Sequence, residues 1–254
     1  MFLEQRLEFV DSLPSLPLIT MPRAFSGTSG DQPAYDINKP NASALPGTID
    51  VFMPGVSQQL MEDVNICKLI MQRDADRLYP NDTQLFEWYK HYVTGLSKLG
   101  WIIQAKDIQE TTIRRVGLTM DQVALEIAKG LIGANSAQIL ANVGKQAVEA
   151  AQKNPRAIDI FNRNSKLGKQ AKFDIAPVWV DGNGQANMVL NCISLDARES
   201  TRGVLFWKST RQSTTIKTGA VRTYLDNRVF SGIRELLYRK FSKQAEDFIE
   251  GLNF

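Results

Sequence analysis

Apolar residues in the first half of the chain recur at helical spacing. Leu60, Val64, Cys67, Met71, Ala75 and Leu78 lie three or four positions apart, a single stripe that predicts an amphipathic helix over about 57–78. Tyr79-Pro80 ends it, since proline turns its predecessor away from helical geometry. Asn81 or Asp82 can cap a second helix carrying Leu85, Trp88, Tyr89, Tyr92, Leu96 and Leu99. Gly100 sits where a left-handed C-terminal residue belongs. Residues 101–113 fit strand and helix equally well. Thr119 and Gln122 have capping-box spacing, which opens a helix predicted over 120–152 and stopped by Pro155. A shorter helix is expected at 156–164.

The rhythm then changes. Phe173 to Val180 is rich in β-branched and aromatic residues, Asp181-Gly-Asn-Gly184 is a turn signal, and Met188 to Leu195 reads as the returning strand. Gly203 to Lys208 and Thr214 to Leu225 supply two further predicted strands, with Gly219 a possible break in the second. Asp226 or Asn227 caps a closing helix with Phe230, Ile233, Leu237, Phe241, Ala245, Phe248 and Leu252 on one face. At the other end, seven of the ten prolines fall in residues 11–55, so no long helix fits there. The expected fold is α+β: a helical N-terminal half followed by an antiparallel β-meander closed by a C-terminal amphipathic helix. The expected organisation is a Pro-rich extended arm over 1–55, a helical region over 56–165 and the β-meander with its helix over 166–254, in one compact unit.

Charge divides along the same line. Residues 1–150 hold 13 Lys/Arg against 17 Asp/Glu, and residues 151–254 hold 17 against 10, within an overall +3. A basic half suits acidic partners: an anionic membrane surface, nucleic acid or an acidic protein face. Hydrophobic content of 43% is that of an ordinary globular protein. The N-terminus breaks its apolar residues with Glu4, Arg6 and Glu8, unlike a secretory signal. No uncharged apolar stretch reaches 18 residues. A cytoplasmic setting is the default expectation, with signal-less export open.

Catalytic chemistry finds few candidates. His91 is the single histidine, which excludes a His-pair metal site and leaves one imidazole for any nucleophile–base arrangement. Cys67 and Cys192 lie in apolar surroundings and cannot build a four-ligand zinc site. Gly95 to Gly100 has P-loop glycine spacing but continues with Trp101 where lysine is required. Asp181 to Gln185 opens like a calcium loop, yet Ala186 and Cys192 occupy the positions of its glycine and glutamate. The expectation is a non-enzymatic protein without cofactor or metal, although paired carboxylates would leave no sequence signature.

Two positive signals remain. The segment 130–144 runs 15 residues without a charge, and Gly130, Gly133, Ala134, Ala137 and Ala141 repeat at four-residue spacing along it. Small-residue ridges let helices approach closely, in a buried core or in a membrane. Fifteen residues span only about 22 Å, short of a ~30 Å hydrocarbon core, so insertion would recruit the flanking turns. The second signal is the basic set Lys166, Lys169, Lys172, Arg202, Lys208, Arg211, Lys217 and Arg222, candidate contacts for an anionic surface. These features point to a self-assembling or membrane-engaging protein, toxin-like or pore-forming through the helix 120–152. The alternatives are a scaffold homo-oligomer gripping through its arm and a nucleic-acid binder using the basic β half. The expected partners are therefore the chain itself or an anionic membrane, and nucleic acid next.

Overall fold

The computed structural model describes residues 1–16, 35–113, 117–124, 127, 134–163, 165–167, 170–196, 204–206, 208, 214–252 and 254. Among them, eight strands form one mixed sheet in the order β3-β7-β6-β5-β2-β1-β8, with β4 beside β5. The strands are β1 (Asn41–Leu45), β2 (Thr48–Phe52), β3 (Trp101–Ile113), β4 (Lys166–Leu167), β5 (Gln170–Val180), β6 (Ala186–Asp196), β7 (Thr214–Leu225) and β8 (Glu250–Leu252). The α-helices are α1 (Leu3–Ser12), α2 (Gln58–Leu78), α3 (Leu85–Lys98), α4 (Ala134–Lys153), α5 (Pro155–Asn162) and α6 (Asn227–Ala245). Residues 120–124 and 127 are helical as well.

The α+β class holds, but the expected antiparallel meander does not. β2 pairs parallel with β5, Thr48 beside Asp174 through Phe52 beside Val178, and the other pairings are antiparallel. The N-terminal half is not purely helical either, because it contributes β1, β2 and β3. Residues 41–52, inside the stretch read as an arm, form a hairpin turned at Gly47 (φ 64°). Their alternation was masked by small and polar residues: Ser43, Thr48 and Asp50 are buried. Residues 17–34 of the arm lie outside the described residues.

Helices cover both faces of the sheet. On one face, Leu45, Phe52, Ala176, Val178, Met188, Leu190 and Val221 join α1, α2, α3 and α6 in one apolar core. On the other, Ala42, Ala44, Ile49, Val51, Phe173, Ile175 and Ile193 meet α4, α5, the 120–124 turn and Val204–Leu205. The alternation of strand residues between these cores is the period-2 pleat. Three local expectations change. Val204–Phe206 is a 3-10 turn and not a strand. Gly219 leaves β7 unbroken, and its missing Cβ makes room for the Tyr89 ring, whose Cε1 would lie 2.6 Å away. The closing helix stops at Ala245, so that Phe248 sits in a 3-10 turn and Leu252 in β8, which pairs with β1.

Several signals carry through. Asp226 caps α6 by accepting from the Arg228 and Val229 amides. Gly100 is left-handed (φ 103°) after α3. Asp181 and Gly184 close the β5–β6 turn. The Gln122 side chain accepts from the Thr119 amide at 3.1 Å, half of the capping box.

Candidate functional site

Helices α2 and α4 meet the sheet through different kinds of contact. α2 is buried along most of its length, including Asp63, Asn65, Lys68, Gln72 and Asp74. Asn65, Lys68 and Gln72 fall on one helical stripe, and each reaches a polar residue of the sheet. Asn65 Nδ2 donates to Ser43 Oγ at 3.0 Å, and Gln72 Nε2 to Thr48 Oγ1 at 2.7 Å. Between them, the Lys68 ammonium, 0% exposed, bridges Asp50 of β2 and Asp174 of β5, the latter at 3.0 Å.

Asp174 is well provided for. Its second oxygen accepts the Asn191 amide at 2.8 Å, while Asn191 Nδ2 donates to the Ile175 carbonyl at 2.9 Å. These side chains replace ladder bonds where β5–β6 pairing is interrupted between Phe173 and Val178, around Pro177, which has no N–H to give. Asp50 is served less well: its Oδ2 is buried without a partner. Burial pushes the Asp50 carboxyl up to about 6, Lys68 opposing and Asp174 adding to the rise. Burial raises Asp174 too, with Lys68 and the Asn191 amide pulling the other way. For Lys68 burial works against the charge, but the two carboxylates outweigh it and the net direction is upward.

Beside this cluster is a cavity of about 20 Å³ lined by Thr48, Gln72, Trp88, Tyr92, Asp174 and Cys192 among others, room for a single water. Gln72 Oε1 and the Tyr92 hydroxyl are both buried without a partner. Lys172 closes one side: its ammonium lies 3.8 Å from the Trp88 ring centroid and pairs with Asp76. Burial raises the Cys192 thiol to about 12 and the Cys67 thiol further, so neither is a thiolate near neutrality. His91 Nε2 meets Asp74 at 2.7 Å and Arg77 pairs with the same carboxylate at 2.8 Å. Among the described residues no group of His, Cys, Asp and Glu could hold a metal ion.

α4 lies on the opposite face, held by Leu140, Val143, Ala147, Val148 and Ala151. Within 139–153, the described side chains make one hydrogen bond outside the helix, from Gln152 Nε2 to the Leu205 carbonyl at 3.0 Å. Lys145 pairs with Glu149 inside the helix. A cavity of about 30 Å³ separates α4 from the sheet, lined by Leu140, Ala141, Gly144, Val51, Ile175 and Pro177 among others. Of the ridge residues, Ala141 lines this cavity and Ala134 and Ala137 belong to the α4 backbone. Gly130 and Gly133 lie outside the described residues. Among those described, no helix is long and apolar enough to cross a membrane.

The described members of the basic set differ in their surroundings. Lys172, expected at an anionic surface, is buried, with its ammonium paired to Asp76 and over the Trp88 ring. Arg222 is half-buried, 5.7 Å from the Trp179 ring centroid. Lys208 is exposed. Lys166 lies in β4 and Lys217 in β7. Lys169, Arg202 and Arg211 lie outside the described residues. The Asp50–Lys68–Asp174 cluster escaped the sequence reading. Its signals were present: a charge within each apolar strand segment, Thr48–Phe52 and Phe173–Val178, and polar residues at 65, 68 and 72 on one helical stripe.

No family model matches the chain, and no curated protein does. Among solved structures, the chain is similar to the Evf virulence factor at 8% identity and a TM-score of 0.35, over 78% of this chain and 84% of that one. It is similar to a delta-endotoxin at 12% identity and a TM-score of 0.35, over 84% and 91%. Likeness this distant carries no weight for mechanism.

Proposed function

We propose that the protein is non-enzymatic and works by engaging a membrane and assembling with itself, in the manner of a pore-forming toxin, with α4 as the layer that leaves the sheet. The observation that carries this reading is the contrast between the two seams. Along its described side chains α4 is held by the hydrophobic effect, at about 2 kcal/mol for each of Leu140, Val143 and Val148, with one hydrogen bond near its end. Hydrocarbon tails are as apolar as these side chains, so a bilayer removes the force that keeps α4 down. The α2 seam behaves oppositely, because separating Lys68 from its carboxylates costs more as the surroundings become less polar. In lipid, the fold is therefore expected to open on the α4 side and hold on the α2 side. Opening exposes Ile49, Val51, Phe173 and Ile175 to lipid or to a second copy.

A disulfide staple tests it. A Cβ at position 144 would lie 4.0 Å from Ile175 Cγ2, so the two positions face each other across the seam, and loss of free thiol on oxidation of the double variant checks that the staple has formed. Dye release from vesicles of phosphatidylcholine and phosphatidylglycerol is measured for wild type and for Gly144→Cys/Ile175→Cys. Release by wild type, suppressed in the oxidised variant and restored by dithiothreitol, is expected. An inert wild type, or an oxidised variant as active as wild type, overturns the reading.

A further inference from the structure

We infer that Asp50, Lys68 and Asp174 form a one-proton switch in the α2 layer, in which Asp50 carries a proton while α2 is docked on the sheet and loosens that docking when it loses it. Counting charges leads there first. With all three groups ionised, the cluster holds one ammonium against two carboxylates, a net negative charge where Lys68 and Asp50 side chains are 0% exposed and Asp174 is 10% exposed. A lone buried charge is costly, and such a site neutralises itself by taking up a proton.

Geometry selects the acceptor. Asp174 has a donor on each oxygen, Lys68 on one and the Asn191 amide on the other, as an ionised carboxylate requires. Asp50 has one donor, and its Oδ2 has none. A proton there removes the surplus charge and leaves Lys68 balanced by Asp174. The remaining groups facing the pair bring no charge of their own. Burial holds Tyr89 and Tyr92 of α3 well above the ordinary phenol range, and Cys192 of β6 stays a thiol. Ser43 of β1 does not titrate. Lys172, which lines the one-water cavity, pairs with Asp76. That cavity is lined by Asp174, Gln72 and Tyr92 as well.

The sign follows from linkage. The carboxyl is pushed up to about 6 in the fold and returns to about 4 on unfolding. Its stabilising contribution is complete below about 4 and is lost as pH rises through 6. Acid therefore tightens α2, and mild alkali loosens it. The switch does not rest on membrane activity: the staple tests α4, and the test below uses the protein in solution.

The experiment compares urea unfolding of wild type and Asp50→Asn from pH 4.5 to 8, with the carboxyl carbons of 13C-labelled wild type followed by NMR. Asparagine imitates the protonated carboxyl. The wild-type folding constant should fall by about 25-fold over this range, because at pH 4.5 the unfolded carboxyl is already mostly ionised. Asp50→Asn should lose most of that dependence and match or exceed wild type at pH 8. The Asp50 carboxyl, assigned through its correlations to its own backbone, should titrate near pH 6. If Asp50→Asn keeps the wild-type pH slope, or the assigned Asp50 carboxyl does not titrate above pH 5, the switch is overturned. The NMR titration uses wild type alone and decides the matter even if the variant fails to fold.

Discussion

Replacing Lys68 with methionine should be among the most damaging single changes this fold can suffer. Methionine keeps most of the length and apolar volume of lysine, so packing along α2 is largely retained and the loss is electrostatic. At the 3.0 Å separation from Asp174, attraction at an effective dielectric of about 20 is about 5 kcal/mol. Breaking a buried pair by removing one partner costs about 3–5 kcal/mol. The variant leaves Asp50 and Asp174 facing each other across the β2–β5 pairing without a counter-ion, and both must be protonated to stay buried. The loss should therefore be near 5 kcal/mol at pH 8 and clearly smaller at pH 5. A domain stability of about 5–15 kcal/mol makes the variant marginal at neutral pH. Urea unfolding followed by circular dichroism at both pH values measures this. Adding Asp50→Asn and Asp174→Asn to Lys68→Met removes the orphaned charges and should recover at least half of the loss. A Lys68→Met variant that loses less than about 1 kcal/mol at pH 8, or gains nothing from the two asparagines, would refute a charged cluster in the seam.

Other changes probe the remaining contacts. Gly144→Ala should raise stability by about 1 kcal/mol, visible as a higher Tm, since this interior helical glycine would direct a methyl at Ile175 Cγ2 no closer than 4.0 Å. Gly219→Ala should lower it by about 1–3 kcal/mol, because the new Cβ would lie 2.6 Å from Cε1 of a Tyr89 ring buried at 3% exposure. Asp226→Ala should cost about 1 kcal/mol through loss of the α6 cap, measurable in the same urea titrations. Native protein at pH 7.5 should resist iodoacetamide at both cysteines, with the thiols held protonated by burial, and urea-unfolded protein should react at both; mass spectrometry reads the difference.

Much of the local structure could be read from residue order because local causes produce it. The stripe from Leu60 to Ala75 becomes α2, Asp226 caps α6, Gly100 takes the left-handed geometry after α3, and Asp181 turns β5 into β6. Each depends on residues within a few positions of one another, so pattern and propensity suffice. The helix Ala134–Lys153 was similarly legible from its small-residue spacing, as one whose sides could approach another surface closely. Which surface they approach was not.

Only the tertiary structure decided the rest. Parallel pairing of β2 with β5 brings Thr48 beside Asp174, 126 positions later in the chain, and spacing along the chain carries no trace of such a meeting. The same pairing turns two isolated aspartates, in strands that otherwise read as apolar, into one site around Lys68. It converts Lys172 from a surface cation into a buried one, since the strand places it under Trp88 and beside Asp76. The chain alone determined which segments are helices and where several of the strands run, through interactions that are short-range. The fold decided that α2 meets the sheet through a charged cluster and α4 through apolar side chains, because burial and partner choice belong to the assembled sheet.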